Sequence, residues 1–240
     1  MSDSRRFLII SWILACSLLV HSLAWTQEGT LFREDFSDLD GWKEVFFPKI
    51  PTHTTYWVQS EEGESFLVAK SDSSASLLVY RDTFDVYEFP RVRWRWKIEN
   101  VYQKGDATRK DGDDYPIRIY IAFQYDPARA GIFQRAQYNA VKLLYGEYPP
   151  DSSLNYVWSS SEHVQRVIPS PYTDRSRMIL IEQGDGNAGK WITEEVNILE
   201  DYQEAFGMPP PHRATIGIMN DSDDTGESST SYVDFIMVFR

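Results

Sequence analysis

The sequence predicts an all-β fold, a jelly-roll β-sandwich, on three observations. Apolar and polar residues alternate with a period of two along most of the chain. Turn-forming residues cut that alternation into short segments, which is the pattern of sandwiches and jelly rolls. Aromatic residues make up 15% of the composition, with 8 Trp and 14 Tyr, enough large side chains to fill a two-sheet core. Strands are expected at 31–36, 42–47, 54–59, 65–70, 76–80, 91–98, 117–125, 154–158, 177–182, 191–198, 214–219 and 231–239. Two helical insertions interrupt them. One is expected over 128–145, with Phe133, Ala136, Ala140, Val141 and Leu144 on one stripe and Gly146, Pro149 and Pro150 as its stop. The other spans 199–206, with Gly207 as its C-cap and Pro209, Pro210 and Pro211 ending it. No repeat, linker or change of composition marks a second domain.

The N-terminus reads as an export signal. Arg5 and Arg6 precede an apolar run over 7–20, and Ser22-Leu23-Ala24 offers small residues where a signal peptidase reads them, so cleavage is expected before Trp25. Residues 1–24 are then a signal peptide and 25–240 a single sandwich domain, periplasmic or secreted, without a stable membrane span after processing. A lipobox at Ile13-Leu14-Ala15-Cys16 fits less well, because Leu14 suits it poorly and Ser17 to Trp25 is an oddly apolar lipoprotein start. A twin-arginine signal at Ser4-Arg5-Arg6-Phe7-Leu8-Ile9 and an uncleaved anchor over 7–24 rank below the general secretory route. Cys16 is the only cysteine and leaves with the signal, so disulfide and thiol chemistry are excluded from the processed chain. The formal net charge is −12, and losing Arg5, Arg6 and Asp3 makes it more acidic. Non-specific nucleic-acid binding is disfavoured by that charge.

Strand faces carry the candidate ligand site. In 91–98 the alternation sends Val92, Trp94, Trp96 and Ile98 to one side and Arg91, Arg93, Arg95 and Lys97 to the other. In 117–125 it sends Ile117, Ile119, Ile121 and Phe123 inward and Arg118, Tyr120 and Gln124 outward. Pairing of these two strands is expected to join Arg93, Arg95, Arg118, Tyr120 and Gln124 in one polar face. Guanidinium forks and a phenol on a rigid sheet suit hydroxyls and carboxylates, as on a sugar acid. A solvated face whose charges pair with nearby carboxylates is the plainer alternative. Tyr156 and Trp158 alternate on a later strand, either as core or as a surface on which a sugar ring stacks.

Oxygen ligands gather in four loops: 38–42, 111–114, 185–189 and 221–226. The last resembles the opening of an EF-hand, with Asp221, Asp223, Thr225 and Gly226 at the first, third, fifth and sixth positions. Its twelfth position is Tyr232, where a bidentate Glu is required, so it is not an EF-hand. Asp and Gly also simply make turns. Gly184 to Lys190 matches phosphate-loop spacing, but Trp191 replaces the hydroxyl that holds Mg²⁺, so the match is fortuitous. His53, His163 and His212 share no metal spacing, and no Gly-x-Ser-x-Gly elbow occurs. Asp113, Asp114, Asp221 and Asp223 form a carboxylate set only if the fold brings them together.

Two resemblances follow from these residues. Leu31 to Trp42 at the start and Tyr232-Val233-Asp234-Phe235-Ile236 at the end resemble the first and last strands of galactose-binding-like jelly rolls. That resemblance implies a structural Ca²⁺ on Glu34 or Asp35 together with Asp234. Trp94-Arg95-Trp96, Asp113 to Tyr120, Tyr156-Val157-Trp158, Asp201-Tyr202, Ala205-Phe206-Gly207 and Met219 to Thr225 resemble a family of secreted bacterial proteins, the domain of unknown function numbered three-zero-four-seven. It implies the fold and export and lends no activity; the helix over 128–145 is read as particular to this branch. The expected function is a carbohydrate-binding protein of the cell envelope, with a polysaccharide or sugar as partner. Its rivals are a polysaccharide hydrolase or lyase, or a structural subunit of a periplasmic assembly.

Overall fold

The computed structural model describes residues 29–128, 130–145 and 148–240. The signal peptide, its cleavage before Trp25 and the helix stop at Gly146 lie outside them. In chain order the strands are β1 (Thr30–Glu34), β2 (Trp42–Val45), β3 (Thr55–Glu61), β4 (Glu64–Asp72), β5 (Leu77–Tyr80), β6 (Phe84–Asp85) and β7 (Arg91–Ile98), followed by β8 (Arg118–Phe123), β9 (Ser152–Ser159), β10 (Val167–Pro169), β11 (Ser176–Gln183), β12 (Ile192–Asn197), β13 (Arg213–Met219) and β14 (Ser228–Phe239). Helix α1 (Ile132–Tyr145) follows β8, and α2 (Ile198–Phe206) follows β12. All twelve expected strands are present; β6 and β10 are too short to show a period. Of the stripe expected on α1, the side chains of Phe133, Ala140, Val141 and Leu144 lie outside the described residues.

The strands form two sheets that make a jelly-roll β-sandwich. The first runs β12-β7-β14-β4-β3, with β1 also paired to β14; the second runs β10-β11-β9-β8-β13-β5-β2, with β6 on β13. Pairing is antiparallel except between β9 and β11. Alternation explains the core. Val92, Trp94, Trp96 and Ile98 of β7 are fully buried and meet Ile119, Ile121, Tyr156 and Trp158 of the second sheet. Trp94 packs on Trp96 and Tyr156 with ring centroids 5.3 and 5.4 Å apart, and Trp96 on Trp158 at 5.9 Å. Aromatic pairs of this geometry each add about 0.5–1.5 kcal/mol beyond their buried area.

The two outer faces differ. The second sheet carries an additional apolar cluster of Ala107, Tyr115, Val157, Ile168, Met178 and Leu180 on its outside, so β9 is buried on both faces. That cover includes Tyr115, which arrives on the segment between β7 and β8. The outside of the first sheet carries basic and aromatic residues, of which Arg95, Lys97, Trp191 and Tyr232 are half-buried and Phe66 is buried. Helix α2 closes as its sequence predicts, with Asn197 accepting from Leu199 N–H and Gly207 taking a left-handed φ of 71°.

Candidate functional site

Strands β7 and β8 do not pair. β7 lies between β12 and β14 in the first sheet, and β8 between β9 and β13 in the second. The expected single face of Arg93, Arg95, Arg118, Tyr120 and Gln124 is therefore split between opposite outsides of the sandwich. Period-two patterning fixes which side of a strand a residue takes but not which sheet the strand joins, and consecutive strands here cross between sheets.

On the first sheet the register assembles a groove. Lys97 stands opposite Tyr232, Tyr232 opposite Val68, and Phe66 opposite Gln59, while Trp191, just before β12, packs beside them. Phe66, Trp191 and Tyr232 pack edge to face with centroids 5.8–6.2 Å apart. The Lys97 ammonium lies 4.2 Å from the Tyr232 ring centre and 4.9 Å from that of Trp191, and the Arg95 guanidinium 5.2 Å from Trp191. Phe66, Trp191, Arg95, Asp234, Glu61, Glu62 and Glu64 line a depression of about 550 Å³. Its rim is the hairpin between β3 and β4, where Glu62 (φ 54°) and Gly63 (φ 91°) make the left-handed two-residue turn that suits strand twist. Asp234 reaches Arg95 at 3.0 Å because β14 bulges between Val233 and Phe235 and re-aims the residue between them. Arg93 is taken by Glu195, its Nε donating at 2.8 Å.

Glu61, Glu62, Glu64, Phe66, Trp191 and Tyr232 were not among the ligand residues expected from sequence. Trp191 had a usable signal: it is in period with Thr193 and Glu195, not with the inward Val196, so alternation sets it outside.

On the second sheet Arg118 and its surroundings are buried. Arg118 pairs with Asp221, and its guanidinium also lies over Tyr115 and Tyr120 at 4.9 and 5.4 Å. Asp221 accepts from Tyr115 N–H at 3.3 Å, Asp113 accepts from the Tyr115 hydroxyl at 2.9 Å, and Asp114 accepts from Thr225 N–H at 2.6 Å. The loop before β8 is thus bound to the loop after β13. Asn220 fixes the latter from below: its amide donates to Ala69 O and Ser231, and its Oδ1 accepts from Ser71 and Tyr102. Burial pushes the Asp113 carboxyl up to about 6, with Arg118 and the Tyr115 hydroxyl opposing. Burial also holds Asp221 well above the usual range; Arg118 opposes this, while Asp114, Asp113 and Asp223 add to it. Asp223 is raised by burial and by Asp114.

Asp114, Asp221 and Asp223 have carboxylate oxygens within 4.8 Å of one another, the one such group among the described residues. Ca²⁺–oxygen bonds run 2.3–2.6 Å, so these three oxygens can converge on one divalent cation. Asp221 and Asp223 were expected ligands; Asp114 belongs to a separate acidic loop that only the fold brings to them.

The other expected sites are not assembled. Glu34 accepts from Phe36 N–H at 2.7 Å and from Trp42 Nε1 at 3.0 Å, Asp35 is exposed and paired with Arg33, and Asp234 is held by Arg95. The three carboxylates do not converge. Tyr156 and Trp158 are core residues, the first donating to Asp201 at 2.9 Å and the second to Gly184 O at 2.9 Å. Gln124 is exposed at the end of β8, away from Arg93 and Arg95. No helix of the described residues is long and apolar enough to cross a membrane.

Comparison with known proteins gives the following. No curated protein matches the chain. Among solved structures, the family 11 carbohydrate-binding module from Clostridium thermocellum, in complex with a β-1,3-1,4-mixed-linked tetrasaccharide, is similar at 12% identity over 88% of this chain and 94% of that one, with a TM-score of 0.40. Endoglucanase 3 of Trichoderma harzianum, from family GH12, is similar at 8% identity over 84% and 99%, with a TM-score of 0.40. The lectin from Bauhinia forficata, in complex with GalNAc, is similar at 10% identity over 87% and 97%, also at 0.40. A family model matches residues 40–237, from the turn before β2 into the last strand. The chain therefore belongs to the family described as Protein of unknown function (DUF3047).

Proposed function

We propose that this chain is an exported carbohydrate-binding protein of the cell envelope, and that it holds a sugar chain in the groove on the outside of the first sheet. One observation carries the reading: Phe66 and Trp191, backed by Tyr232, form an aromatic wall beside the paired charges of Arg95 and Asp234, in an open depression of about 550 Å³. A sugar ring offers an apolar face of C–H groups and an edge of hydroxyls. Aromatic rings suit the face, and a guanidinium and carboxylates suit the edge. The rigid sheet holds these groups in place before the ligand arrives, which limits the ordering cost of binding. Export is supported by the apolar run behind Arg5 and Arg6, and N-terminal sequencing of the exported product tests it.

In the same reading Ca²⁺ occupies Asp114, Asp221 and Asp223 and has a structural role, tying the loop before β8 to the loop after β13. Thermal unfolding with Ca²⁺ and with chelator tests it.

Binding is tested by retardation of the processed protein in gels containing soluble polysaccharides, for the parent and for Trp191→Ala. Truncating a central aromatic anchor typically costs about 2 kcal/mol or more, so the variant is expected to lose retardation while keeping its far-ultraviolet spectrum. Equal retardation of both proteins, or none with any polysaccharide, contradicts the reading.

A further inference from the structure

We infer that the groove selects glycans bearing free amino groups, such as N-deacetylated β-glycans, over neutral or anionic ones. The inference rests on the reading of the groove as a glycan site and names its preferred substrate class.

Three observations lead there. First, the basic side chain that lines the groove is already engaged: Arg95 is paired with Asp234 at 3.0 Å, while Lys97, beside the groove, lies over two rings. An anionic glycan meets only the Lys97 charge, beside the groove, and three rim carboxylates of its own sign. Second, the rim carboxylates are not engaged in this way. Glu61, Glu62 and Glu64 are exposed, and among the described residues no basic side chain lies within ion-pairing distance of them; Glu61 accepts only from Gln59, at 2.7 Å. Third, the aromatic wall already holds an ammonium. The Lys97 group over Tyr232 and Trp191 shows that these ring faces attract a primary amine at cation–π distance. A sugar ammonium that reaches the open side of the same wall meets ring faces on one side and unpaired carboxylates on the other.

The sign of the charge effects separates this from the opposite preference. Removing rim carboxylates should weaken an amino glycan and leave a neutral one unchanged. Removing the Lys97 charge should strengthen an amino glycan and weaken an anionic one.

The experiment is calorimetric titration of the processed protein, at mildly acidic pH, with the β-1,4-linked glucosamine hexamer, its N-acetylated counterpart and an anionic uronic-acid hexamer. The glucosamine hexamer is expected to bind tightest and to weaken as salt rises. Glu62→Gln with Glu64→Gln is expected to lower its affinity by about three- to fivefold, the scale of two exposed ion pairs, with no change for the N-acetylated hexamer, and Lys97→Gln is expected to raise it. Asp82→Asn with Asp185→Asn, outside the groove, is the control for overall acidity. An equal loss in that control, equal affinity for the two hexamers, or tightest binding of the uronic-acid hexamer overturns the inference while leaving a glycan site. Failure of all three ligands to bind, or binding unaffected by Trp191→Ala, contradicts the glycan reading itself.

Discussion

Arg95 and Arg118 arise from the same kind of sequence, a strand in which basic or polar residues alternate with large apolar ones, and they meet opposite fates. Arg95 is paired with Asp234 on an open face, with the two side chains 37% and 19% exposed; Arg118 is paired with Asp221 beneath a loop, with 6% and 2% exposed. The alternation places both outside the central core. Only the cover on the second sheet, led by Tyr115, makes the second pair an interior one. An exposed pair is worth about 0–1 kcal/mol, whereas breaking a buried one costs about 3–5 kcal/mol because a charge is left without a partner. The first face is thus free to meet a ligand, and the second is committed to holding two loops together.

The largest expected effect tests that contrast directly. Arg118→Ala should lower the stability measured in urea by about 3–5 kcal/mol. Adding Asp221→Leu to Arg118→Met should recover much of it, because the buried charge is removed as well. A small loss from Arg118→Ala would mean that the pair is hydrated and the contrast false.

The second effect concerns pH. Asp113 has its carboxyl pushed up to about 6 from an ordinary 3.8. Between these values the folded chain binds more protons at Asp113 than the unfolded one, so the stability that Asp113 contributes is fully present below about pH 4 and is lost as pH rises through 6. The loss is on the order of 3 kcal/mol. Asp113→Asn should flatten this fall, read from urea midpoints across the window. A stability unchanged by the substitution would contradict it. Asp221 and Asp223 are raised in the same direction, so the trend extends beyond Asp113.

Ca²⁺ should oppose that trend. At a hundredfold excess over its dissociation constant it should stabilise by about 2.7 kcal/mol, and Asp223→Asn should abolish the gain without removing the buried pair. An unchanged unfolding midpoint with Ca²⁺ and with chelator would remove the cation from the account. The smallest effect returns to the first sheet: Arg95→Ala should cost no more than about 1 kcal/mol in stability, and a larger loss would show that the open face is structural.

The strands were legible because a half-buried strand writes its face into a period of two, and 91–98 was readable to the residue. Pairing was not legible. Nothing in the alternation of Arg91 to Ile98 or of Ile117 to Phe123 says that they join different sheets, and the error of merging their faces follows from that. Burial of Arg118 was hidden for a related reason, since its cover comes from loop residues with no period. The acidic set was half legible: Asp221 and Asp223 stood out as loop oxygens, and Asp113 and Asp114 were recognised as partners only if the fold delivered them. The first-sheet groove was missed because Phe66 and Tyr232 on two strands and Trp191 just before a third lie far apart in sequence, and the bulge that aims Asp234 leaves no mark in composition.

In the function proposed above, ligand meets the first sheet and not the second. The most direct test follows the indole N–H signals of the processed protein by nuclear magnetic resonance as a soluble polysaccharide that it binds is added. Trp191, in the groove, should shift progressively, while Trp158, fully buried and bonded to Gly184 O at 2.9 Å, should stay in place. Shifts confined to Asp113, Asp114, Asp221 and their neighbours on the second sheet, with Trp191 unmoved, would contradict it.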